Sequence, residues 1–166
     1  AGEVRSNYIS LTTSGEPTTD GDGSNGNLTL DFGLRGTASI GDFVWNDANG
    51  NGVQEAGEVG ISGATVTLTG TTGSGADVNL TTTTDGTGAY NFANLAPGTY
   101  TVSFTTPSGY VASAANAGGD DTKDSDFNAS GMSDAVTVNP LNPAKKDVLT
   151  VDAALYSPMG SLGNYV

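Results

Sequence analysis

Apolar residues in this chain come in short runs that alternate with polar ones and end within a few residues at glycine, asparagine, aspartate or threonine. In Ala64-Thr65-Val66-Thr67-Leu68 and Tyr100-Thr101-Val102-Ser103-Phe104 the alternation is strict. An extended strand then carries Val66 and Leu68, or Tyr100, Val102 and Phe104, on one face. No segment sustains a helical period. Strands are expected near residues 38–45, 64–69, 77–84, 89–93, 99–105, 134–139 and 148–156. About seven strands with a turn every 8 to 15 residues or so predict an all-β fold, a β-sandwich. Only 36% of the 166 residues are hydrophobic and 25 are glycine, but their clustering into alternating runs argues against disorder.

Directly after the first strand comes a twelve-residue segment, Asp47-Ala48-Asn49-Gly50-Asn51-Gly52-Val53-Gln54-Glu55-Ala56-Gly57-Glu58. A calcium ion takes about six to eight oxygens, and a loop of this length supplies them from fixed positions. Here positions 1, 3 and 5 are Asp47, Asn49 and Asn51, and position 7 offers the Val53 carbonyl. Glu55 at position 9 adds an oxygen directly or through water, and Glu58 at position 12 can bind with both. Gly52 at position 6 permits the sharp turn. Ordinary surface turns also favour Asn, Asp and Gly, but turn chemistry does not require an acid at position 12. The flanks read as strand and turn, not as the two amphipathic helices of a helical hand, so the expectation is a calcium loop set into a β protein.

Eighteen acids against five bases give a formal net charge of −13, which disfavours nucleic acid and anionic membrane surfaces and makes cations the natural partners. No run approaches the roughly 18 apolar residues of a membrane span, and no basic start with an apolar stretch suggests a signal peptide. The chain reads as a piece of something longer. With no cysteine there is no disulfide to hold it, and bound metal is an alternative source of stability. The absence of histidine and cysteine also removes the commonest general base and the thiol nucleophile, so an enzyme is not expected.

Leu28-Thr29-Leu30-Asp31-Phe32-Gly33-Leu34 reappears in altered form as Leu149-Thr150-Val151-Asp152-Ala153-Ala154-Leu155, and Ser39-Ile40-Gly41-Asp42-Phe43-Val44 as Ser161-Leu162-Gly163-Asn164-Tyr165-Val166. A repeat at roughly 120 residues means tandem domains, not a short-period solenoid. Residues 37–157 then form one complete module. Residues 1–36 are expected to be the closing strands of a preceding repeat, and 158–166 the opening strand of a following one. A detached strand pair is marginal in water, so the leading segment is expected to pack on this module or on a neighbouring chain.

Gly41-Asp42-Phe43-Val44-Trp45-Asn46-Asp47, with Asn49, Asn51-Gly52-Val53-Gln54, Glu58, Gly60-Ile61-Ser62-Gly63-Ala64 and Val66-Thr67-Leu68, resembles the opening of the B-repeat domains of bacterial serine-aspartate repeat surface adhesins. A second stretch is similar to the wider collagen-adhesin B-type family: Thr84-Asp85-Gly86-Thr87-Gly88-Ala89-Tyr90-Asn91-Phe92, Leu95-Ala96-Pro97-Gly98-Thr99-Tyr100-Thr101-Val102 and Pro107-Ser108-Gly109-Tyr110. The resemblance implies a prealbumin-like or Ig-like β-sandwich with long calcium-binding loops, repeated in tandem as the stalk of a cell-surface protein. It also implies further calcium in a late acidic loop, matched here by Gly118-Gly119-Asp120-Asp121-Thr122-Lys123-Asp124-Ser125-Asp126-Phe127-Asn128. Asp120, Asp121, Asp124 and Asp126 are the expected ligands; so many acids repel one another unless a cation intervenes, although many charge runs are simply solvated. Asp20 and Asp22 have part of a loop pattern, but Gly26 falls one residue late, and a flexible turn is expected there. Asp42 belongs either to the main site or to the strand end.

Many collagen-adhesin B-type domains carry a Lys to Asn isopeptide bond between first and last strands. Here the lysines are Lys123, Lys145 and Lys146, all in expected loops, so no such lock is expected in the usual place. The leading expectation is a calcium-stabilised structural spacer at the extracellular bacterial surface, its partners being calcium ions and neighbouring repeats or identical subunits. The alternatives are a self-assembling filament subunit that exchanges its N-terminal strand, or an adhesive module for a glycan or protein ligand. The latter calls for exposed aromatics, whereas Trp45 beside the loop is expected to be packed.

Overall fold

The alternating runs form nine strands in a computed structural model that describes residues 36–158. They are β1 (Ala38–Asn46), β2 (Thr65–Thr72), β3 (Asp77–Thr83), β4 (Ala89–Leu95), β5 (Gly98–Thr105), β6 (Val111–Ala112), β7 (Val136–Val138), β8 (Asp147–Val148) and β9 (Ala153–Tyr156). One 3-10 turn, Pro143–Lys145, is capped by Asn142, whose side chain accepts from the Ala144 N–H at 3.0 Å. There is no α-helix among the described residues. The Asp20–Gly23 segment and one partner of each repeated pair, residues 28–34 and 161–166, lie outside the described residues.

Two sheets face each other. One has the order β4-β1-β9-β6, with β8 also pairing β1, and the other β3-β2-β5-β7. The alternation in sequence becomes the division between core and solvent. Val66, Leu68, Tyr100 and Val102 point inward with 1% exposure or less, and Tyr90 and Phe92 share the inner face of β4. Each large apolar side chain buried in this way contributes about 1.5–3 kcal/mol. The outer face of β3-β2-β5-β7 is almost entirely threonine, in rows such as Thr83-Thr65-Thr105 and Thr81-Thr67-Ser103. Branched Thr side chains fit a half-solvated pleat well.

The last expected strand, 148–156, is not continuous. β8 and β9 both run parallel to β1, but the four residues between them leave the ladder. At the break the Phe43 N–H donates to the Asp152 carboxylate at 3.1 Å, so a side chain takes the place of a backbone acceptor. The Asp152 backbone meanwhile bonds to Asp126: the Asp126 N–H donates to the Asp152 carbonyl (2.8 Å), and the Asp152 N–H to the Asp126 carboxylate (2.7 Å). The two-residue β6 was not anticipated; it is too short for any period to register.

Candidate metal centre

The chain leaves β1 directly into the loop Asp47–Glu58, and Asp47 is fully buried. Its Oδ1 accepts from the N–H groups of Gly50 (2.8 Å) and Asn51 (3.2 Å), and its Oδ2 from Gly52 (2.7 Å). Asn49 Oδ1 accepts from the Asn51 N–H, and Asn51 Oδ1 from the Val53 N–H. Glu58 joins the two ends: Oε1 accepts from the Ala48 N–H and Oε2 from the Glu55 N–H, both at 2.9 Å. The Glu55 carboxylate accepts from the side-chain amides of Asn49 and Asn51. Gly52 holds a φ of +77° and is packed so that a Cβ would strike the Ala114 carbonyl, which excludes any other residue.

Burial alone would raise the pKa of Asp47. The adjacent Ser113 hydroxyl, itself buried and outside strict hydrogen-bond geometry, and the N–H groups of Gly52, Gly50 and Asn51 outweigh it, so the carboxyl is held below the ordinary value. The charge of this loop is thus met by oriented backbone dipoles.

The late acidic segment packs directly against it. Val53 and Asp124 form an antiparallel bridge, in which the Gln54 N–H donates to the Lys123 carbonyl (2.6 Å) and the Ser125 N–H to the Gly52 carbonyl (3.1 Å). Those bonds do not use the Val53 carbonyl. Phe127 anchors the segment from below, buried to 1% with its ring edge-on to Phe104 at 4.8 Å. Asp121, Asp124 and Asp126 are gathered so that one oxygen from each lies within 4.8 Å of the others. Asp120 is directed elsewhere: it accepts from the Thr122 hydroxyl (2.6 Å) and N–H (3.2 Å) and lies 3.7 Å from Lys123 Nζ.

Asp124 is 3% exposed; its Oδ2 accepts weakly from Gly118 and Gly119, while its Oδ1 is buried with no partner. A buried, unmatched carboxylate oxygen beside two more carboxylates is a donor set of the hard oxygen type that calcium takes. The residues present fit the ion.

Sequence reasoning missed one part of this region. Burial, together with the charges of Asp121, Asp124 and Asp134, pushes Asp126 up to about 7 despite its bond from the Asp152 N–H. Burial and the charge of Asp42 push Asp152 to about 8, with Asp126 and Asp124 adding to the rise. Asp42 is itself raised by burial and acts on this cluster. Tyr90, whose hydroxyl donates to the Val151 carbonyl at 2.6 Å, is driven well above its usual range by burial and then by Asp152, Asp126 and Asp42. The available signal was an acid inside an apolar run, Val151-Asp152-Ala153-Ala154-Leu155.

A family model described as the SdrD B-like domain matches residues 38–155. Serine-aspartate repeat-containing protein D of Staphylococcus aureus (strain Newman) is 38% identical over 142 residues, covering 84% of this chain and 10% of that protein. Serine-aspartate repeat-containing protein F of Staphylococcus epidermidis is 42% identical over 142 residues, covering 84% of this chain and 8% of that protein. The chain therefore spans a tenth or less of the length of these curated relatives. A match over the whole sandwich, from the start of β1 into β9, places the chain in the SdrD B-like domain family.

Proposed function

We propose that this chain is a calcium-stabilised spacer module of a tandem-repeat protein at the extracellular bacterial surface. The observation that carries this reading is the packing of the Asp47–Glu58 loop onto an acidic segment whose three gathered carboxylates include the unmatched Asp124 Oδ1. A cation there neutralises repulsion among Asp121, Asp124 and Asp126, and through the Asp126–Asp152 bonds it fixes the gap between β8 and β9. Asp47, Asn49, Asn51, Val53, Glu55 and Glu58 are the residues that would hold an ion in the first loop. A ligand bound only by the folded state stabilises it by mass action. In the first loop the charged ligands are Asp47 and Glu58, with Glu55 direct or through water, so an affinity of roughly micromolar to millimolar is expected there, in the extracellular range. Family membership sets the chain among structural modules, not enzymes.

An adhesive site built on exposed rings gains no support: Trp45 is fully buried, and no aromatic side chain is exposed among the described residues. The strand-exchange alternative rests on residues outside those described.

Thermal melting of the 166-residue chain in calcium and in excess chelator, with protease digestion alongside, tests the proposal. Calcium is expected to raise the melting temperature and slow cleavage. Identical curves would overturn the reading.

A further inference from the structure

Five strands, β3, β4, β6, β7 and the two-residue β8, pair on one side only, and all but β3 are poor templates for pairing. β6 has two residues, and β7 has three with Pro140 close behind. β4 carries a register shift against β1 and a left-handed Asn94 (φ 59°). Natural edges are blunted by short length, lysine, proline or bulges. β3 has none of these: it is seven residues, Asp-Val-Asn-Leu-Thr-Thr-Thr, in unbroken register with β2.

The direction of its free groups follows from its two ends. The Thr72 N–H donates to the Ala76 carbonyl, and the Thr84 N–H to the Ala64 carbonyl, so residues 76 and 84 face β2. Alternation then turns the N–H and C=O of Asp77, Asn79, Thr81 and Thr83 outward, away from β2. Among the described residues no strand pairs with them. Leu80, in the centre of the strand, is 44% exposed although it lies on the side of the pleat opposite the threonines.

We propose that β3 is a self-association edge, whose partner is β3 of a second copy of this chain in antiparallel pairing about a twofold axis at Leu80. Only that centre pairs all four outward residues at once, Asp77 with the second copy's residue 83 and Asn79 with its residue 81. The two Leu80 side chains then meet in a non-hydrogen-bonded pair, where side chains approach closest. Charge selects the same surface. Two chains of net charge −13 repel, yet this strand carries one charge, and the register places the Asp77 carboxylates at opposite ends of the joint. The threonine faces of the two copies join into one sheet. A single strand pair buries far less than the roughly 1,200 Å² of a stable interface, so one contact is weak. In tandem arrays, on the reading proposed above, many such contacts act together.

A single thiol tests the register. The chain has no cysteine, and Leu80→Cys would bring two sulfurs across the axis with Cα atoms about 4.5 Å apart, inside disulfide range. Under mild oxidation in calcium, Leu80→Cys is expected to form covalent dimer about tenfold faster than Leu149→Cys, a control of similar exposure. Adding Thr81→Pro, which removes an outward donor, should return the rate to that of the control. So should Asn79→Asp with Thr81→Asp, which sets carboxylates opposite one another without altering the backbone. Equal rates for the two thiol variants, or a Leu80→Cys rate unmoved by the acidic pair, would overturn the proposal. Because both thiol variants are compared in the same calcium buffer, this result is independent of whether calcium stabilises the fold.

Discussion

The two acidic regions that meet at the Val53–Asp124 bridge use the same side chains and reach opposite electrostatic states. In the first, Asp47 and Glu58 are surrounded by N–H donors of their own loop, and Asp47 is held below its usual pKa. In the second, carboxylates face carboxylates: Asp126 and Asp152 are raised to about 7 and about 8, and Asp124 Oδ1 has no partner. In the first loop, backbone donors already supply a counter-charge to Asp47 and Glu58. A cluster of buried acids needs a counter-charge, and in the absence of metal a proton is the one available.

Asp47→Ala tests the first half of that contrast most severely. It leaves the N–H groups of Gly50, Asn51 and Gly52 without their acceptor, and should cost about 3–5 kcal/mol even in chelator. Urea unfolding in chelator measures this. A loss that appears only when calcium is present would mean that the loop is organised by the ion and not by its own donors.

Next in size is a dependence on pH with opposite signs in the two regions. The folded pKa values of Asp126 (about 7) and Asp152 (about 8) lie above those of an unfolded carboxylate, so the folded state binds more protons in between. Their contribution is fully present below about pH 4 and is lost as pH rises through 7 and 8, on the order of 2 kcal/mol for the metal-free chain. Asp47, with its lowered pKa, contributes stability that is lost only on acidification below the ordinary carboxylate range. Urea midpoints in chelator between pH 5 and pH 8 or so should therefore fall with rising pH, and calcium should help most at the alkaline end.

Asp126→Asn sharpens the second half. The amide oxygen can still accept from the Asp152 N–H, but one repelling charge is gone. Without metal the variant should be about 1 kcal/mol more stable than the parent, and its calcium-induced rise in melting temperature should be smaller. The smallest effect is expected at Asp120, whose partners are Thr122 and the exposed Lys123. Asp120→Asn should change stability by no more than about 0.5 kcal/mol and leave the calcium response intact, as calorimetric titration would show.

Much of this was readable from the chain because it is local. Strict alternation located β2 and β5, and the order Asp47, Asn49, Asn51, Glu58 marked a loop whose side-chain oxygens accept from its own backbone N–H groups. What could not be read depends on contacts between distant segments. Asp152 lies 26 residues from Asp126 in sequence, and only the fold brings their backbones together. The same contact explains why an apparently continuous strand at 148–156 is broken: its period is right, but a carboxylate has replaced a rung of the ladder. Of the four acids expected in the late segment, spacing could not separate Asp120, turned to its own threonine, from the three that converge.

The parallel placement of β1 and β9 has a mechanical consequence. Val44, Trp45 and Asn46 lie beside Ala153, Ala154 and Leu155, running in the same direction. Tension applied at the start of β1 and the end of β9 drags the two strands past each other along their length, so that their cross-links are strained together instead of opening one by one. The Phe43–Asp152 bond lies in line with that seam, and Asp152 is tied to Asp126. The force at which such a module tears is thereby tied to what neutralises its buried acids, and pulling single chains in calcium and in chelator would read that difference as a change in rupture rate.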